Sequence, residues 1–149
     1  MDISAGNIFN MDKKENKFSV LEKRKSYFFI TQNEDSLSKE VIESIVKNNE
    51  AIVYLNLGER ERVAKIIGKT KNKLSVKEIK LSEAPSFTEL SLAIETLTKE
   101  RAINFVLIDQ FQELLGYNDF YATVKFTKYL LSSLKNKELT CILIAPDSD

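Results

Sequence analysis

Apolar positions fall into two kinds of stretch along this chain: short unbroken runs, and longer segments in which they recur at helical spacing. The unbroken runs are residues 27–31, 51–57, 103–108 and 140–145, rich in β-branched and aromatic side chains. A run without polar alternation suits a strand buried on both faces of a parallel sheet. A less regular strand is expected over 74–81. Between the runs, Leu37, Val41, Ile42, Ile45 and Val46 mark one amphipathic helix, with Asp35 or Ser36 as its N-cap and Asn48-Asn49 closing it. A short helix over 59–67 buries Val63, Ile66 and Ile67, and Gly68 supplies the left-handed residue beyond its end. Ser86 and Glu89 have the spacing of a capping box, and Phe87, Leu90, Ala93, Ile94 and Leu97 form a stripe behind it. The longest helix is expected over 118–135, burying Phe120, Val124, Leu130, Leu131 and Leu134.

Strand and helix alternate with short connections, which predicts right-handed crossovers and an α/β three-layer sandwich: a mainly parallel sheet with helices on both faces. Residues 26–149 form one such domain in this reading, and residues 1–25 a polar leader in which Val20-Leu21 is a candidate edge strand. A chain of 149 residues buries enough surface to hold a core without staples.

Composition narrows the chemistry. With no histidine, a Ser–His–Asp triad, a Cys–His dyad and a His-ligated zinc are all excluded. The single cysteine, Cys141, lies inside an apolar run and reads as a small buried hydrophobe. Basic and acidic residues balance at 22 each, so no net field draws the molecule to nucleic acid or anionic lipid. No apolar stretch is long enough for a membrane span, and the first residues have no secretory pattern. A cytoplasmic location is the expectation.

Several stretches, in the right order, carry a resemblance. Residues 51–57 together with Glu59 resemble the second strand of KaiC-like proteins of the RecA superfamily. Residues 84–94 are similar to the helix before that family's acidic strand, and Val106-Leu107-Ile108-Asp109 looks like the Walker B strand itself. Residues 114–126 resemble the segment after that strand in archaeal members that have lost the phosphate loop. The resemblance covers residues 26–146 and implies a RecA-like sheet of the kind that binds and hydrolyses ATP, often in rings. The first loop departs from it. A phosphate loop needs glycines to turn backbone N–H groups on the phosphates, with a Lys and a Ser or Thr at the helix start. This chain has Gln32-Asn33-Glu34-Asp35-Ser36, with no glycine and two carboxylates, and Lys39 follows Ser38 instead of preceding a hydroxyl residue. Gly68-Lys69-Thr70 is no substitute, because Val63 stands where the motif's first glycine belongs.

The resemblance assigns Asp109 to magnesium and Glu59 to the region of the water-activating glutamate, which makes both candidate catalytic residues and Asp109 the candidate metal ligand. Against this, Asp109 ends a strand and can cap the turn after it, and Glu59 favours a helix N-terminus on electrostatic grounds. Thr31, Asn33, Ser36 and Lys39 are the candidates for holding a cofactor, and Glu34, Asp35 and Asp109 for an acidic pocket at the carboxyl edge of the sheet. No cofactor is expected by default, with ATP and Mg²⁺ as the alternative. Eight basic residues against two acidic ones between Arg60 and Lys80 give a local excess of six, with Arg60, Arg62, Lys65, Lys69, Lys71 and Lys73 as candidate phosphate contacts. That stretch has no aromatic residue for stacking on a base, so nucleic acid ranks last among partners. Tyr117, Phe120, Tyr121 and Tyr129 are candidates for aromatic surface near the long helix. The expectation is a degenerate, non-catalytic KaiC-like module acting in regulation or assembly through a protein partner or copies of itself. The alternatives are a nucleotide or phosphotransfer protein using Asp109, and then a nucleic-acid adaptor.

Overall fold

A computed structural model describes residues 8–10, 25–48, 50–58, 76–78, 81, 84–99 and 103–147. The strands are β1 (Ile8–Asn10), β2 (Ser26–Thr31), β3 (Ala51–Asn56), β4 (Val76–Glu78), β5 (Ile103–Asp109) and β6 (Thr140–Pro146). The helices are α1 (Glu34–Lys47), α2 (Phe87–Thr98), α3 (Leu114–Tyr117) and α4 (Phe120–Asn136), with a 3-10 turn at Phe111–Glu113. The strands form one sheet in the order β1-β2-β6-β5-β3-β4, and every neighbouring pair is parallel.

The unbroken apolar runs are the central strands, as their two-sided burial requires: residues 140–145 are all buried, and so are 105–109. Period 2 divides each run between the faces. On one side Ile52, Tyr54, Phe105, Leu107, Ile142 and Ile144 pack with Leu37, Val41, Ile42 and Ile45 of α1. On the other, Val53, Leu55, Val106, Ile108, Cys141 and Leu143 pack with Leu90 and Ile94 of α2 and Phe126, Leu130 and Leu134 of α4. The Phe87 and Phe126 rings stack with centroids 4.4 Å apart and join the two helices of that layer. The result is the expected α/β sandwich: α1, the parallel sheet, then α2 and α4.

Details differ from the sequence pattern. Asn33, rather than Asp35 or Ser36, caps α1, its Oδ1 accepting from the Ser36 N–H at 3.4 Å. The helix therefore begins at Glu34, and the connection from β2 is only Gln32 and Asn33. Ser86 caps α2 as expected, its Oγ accepting from the Glu89 N–H at 3.0 Å. The strand expected over 74–81 is described only at Val76–Glu78. Phe120 is 72% exposed. It keeps the phase of the buried stripe Thr123, Phe126, Thr127, Leu130 and Leu134, but it stands in the first turn of α4, where no layer covers it. Ile8–Asn10 pairs with β2 at one edge of the sheet. The helix expected over 59–67, Gly68 and Val20-Leu21 lie outside the described residues.

Candidate functional site

Alternation along β5 turns Asp109 towards the face that α1 covers, together with Phe105 and Leu107. The side chain lies at the carboxyl end of a central strand, where open α/β sheets place their ligands. Asp109 is fully buried. Its Oδ2 accepts from the Ser38 hydroxyl at 2.6 Å and from the Tyr54 hydroxyl at 2.8 Å. Its Oδ1 accepts from the Gln110 N–H at 2.9 Å. Each donor comes from a different place in the fold: Ser38 from the first apolar-stripe turn of α1, Tyr54 from β3, and Gln110 from the strand's own exit.

The network continues along β3. Asn56 Nδ2 donates to the Tyr54 hydroxyl oxygen at 3.1 Å, and the Gly58 N–H donates to Asn56 Oδ1 at 2.9 Å. The register that pairs Asn56 with Asp109 brings these strand ends level. Gln110 takes a left-handed backbone (φ 59°), which turns the chain sharply into the 3-10 turn. Its side chain lies against Gly58, where an added Cβ would stand 2.9 Å from Gln110 Cγ. Gly58 is therefore required by close approach. Gln112 Nε2 donates to Gln110 Oε1 at 2.8 Å, while Gln110 Nε2 and Gln112 Oε1 are buried without a partner.

Chemically, the arrangement is a desolvated acid whose two side-chain oxygens accept three hydrogen bonds from neutral donors. It fixes α1, β3 and β5 relative to one another at one end of the sheet. The other candidates do not meet there. Thr31 is buried, and its Oγ1 accepts from the Asn33 N–H at 3.1 Å within the same turn. Asn33 is used as the helix cap. Ser36 is exposed and its hydroxyl reaches Glu40 at 3.5 Å. Lys39 pairs with Glu43 at 3.9 Å along the helix, one residue on from inward-facing Ser38. The side chains of Glu34 and Asp35 lie outside the described residues, as do Glu59, Arg60, Arg62, Lys65, Lys69, Lys71 and Lys73. The described residues hold no group of three or more His, Cys, Asp or Glu suited to a metal.

Ser38, Tyr54 and Asn56 are the members the sequence pattern did not single out. Ser38 was legible in hindsight, as a hydroxyl at an apolar-stripe position of α1. With the last position of the phosphate-loop motif laid on Ser38, Thr31 and Ser36 stand where its glycines belong and Leu37 where its lysine belongs.

No family model matches the chain, and no curated protein matches it. In structure it is similar to a KaiC-like protein from the hyperthermophilic archaeon Pyrococcus horikoshii, with a TM-score of 0.68 at 14% sequence identity. The match covers 85% of this chain and 65% of that protein, so the chain spans less than two thirds of the neighbour's length. The fold is that of the RecA-like, KaiC-like α/β proteins. No helix among the described residues is long and apolar enough to cross a membrane.

Proposed function

We propose that this chain is a non-catalytic RecA-like module that acts in regulation or assembly through protein contacts. The observation that carries the reading is the state of Asp109. Its carboxylate is fully buried and both oxygens already accept hydrogen bonds from Ser38, Tyr54 and the Gln110 N–H. Helix α1 supports it by starting at Glu34 after a two-residue connection, so the backbone expected to cradle a phosphate is already helical. Leu37, buried in the core, stands where the motif lysine belongs. A carboxylate used in this way organises the fold and leaves the surface to provide function. Titration of Mg-ATP and Mg-ADP into the full chain tests the reading by calorimetry and thermal shift. Neither heat nor a shift is expected at millimolar nucleotide. Binding that disappears in Asp109→Asn would overturn it.

One observation favours a second reading, a nucleotide and magnesium site. Ser38 sits at the motif's hydroxyl position and touches the acid that ends β5, the pair that holds magnesium in phosphate-loop proteins. In that case Ser38→Ala and Asp109→Asn weaken nucleotide binding together.

A further inference from the structure

We draw no further inference here: the strongest candidate, the exposed face of the α2–α4 layer with Leu92, Tyr121 and Tyr129 around the groove between Glu95 and Lys137, carries nothing, because nothing in the structure shows what covers it.

Discussion

Ser38 donates to Asp109 across 71 residues of sequence and 2.6 Å of space. The bond joins the second turn of α1 to the end of β5, with β6 lying between β2 and β5 in the sheet. A buried carboxylate that loses one donor keeps the cost of its own desolvation. Ser38→Ala should therefore lower stability by about 1–3 kcal/mol, read by urea denaturation. Tyr54→Phe removes the second donor to the same oxygen and should cost a similar amount. The double variant should depart from additivity, because both changes act on one carboxylate. Equal stability of Ser38→Ala and the unaltered chain would mean that this bond does not hold the layers together.

Phe120 and Phe126 are separated by less than two turns of α4 and have opposite surroundings. Phe126 is buried and stacked on Phe87, while Phe120 is largely exposed. Phe126→Ala should lower stability by about 3–5 kcal/mol through lost burial and a cavity. Phe120→Ala should stay within about 0.5 kcal/mol of the unaltered chain. Thermal unfolding of the two variants side by side checks the assignment of the buried stripe.

The end of α4 is a Schellman motif built without glycine. The Glu138 N–H donates to the Lys135 carbonyl at 2.9 Å, and the Leu139 N–H to the Leu134 carbonyl at 2.9 Å. Leu134 and Leu139 are both buried, supplying the motif's usual apolar contact. Glu138 takes φ 62°, a left-handed conformation in which a Cβ is disfavoured by about 1–2 kcal/mol. Glu138→Gly should raise stability by about 1 kcal/mol. A fall in stability would show that the side chain outweighs the backbone preference.

Cys141 is fully buried in β6, and burial alone pushes its thiol up to about 12. Folding therefore favours the protonated thiol. Below the unfolded value of 9.0 this difference has no pH dependence, and above it the unfolded chain releases the proton first. The contribution is lost as pH rises from about 9 towards 12. Stability should decline over that window less steeply in Cys141→Ala than in the unaltered chain, once each is referred to its own neutral-pH value. A thiol reagent at pH 8 should modify Cys141 only as fast as the protein unfolds. Rapid labelling of the folded chain would contradict the burial.

Local physics made much of this fold legible in the sequence. Four unbroken apolar runs suit strands buried on both faces of a parallel sheet. The helical stripe at Leu37, Val41, Ile42 and Ile45 and the Ser86 cap are then set by period and by free backbone donors. The acid at the end of β5 was visible as well, because Asp109 interrupts an apolar run. Its partners were not. Ser38 and Tyr54 read locally as an ordinary helix serine and a strand tyrosine, and only strand order and register bring them to one oxygen. Likewise, periodicity placed Phe120 on the buried stripe, but burial depends on whether a neighbouring layer extends beneath that turn. Residue order alone settled which segments become strands and helices and which face of each turns inward, since those choices rest on spacing within a few residues. Folding in three dimensions settled which polar groups meet at the carboxyl edge and which apolar ones stay exposed, since those are distances between segments that no local pattern encodes.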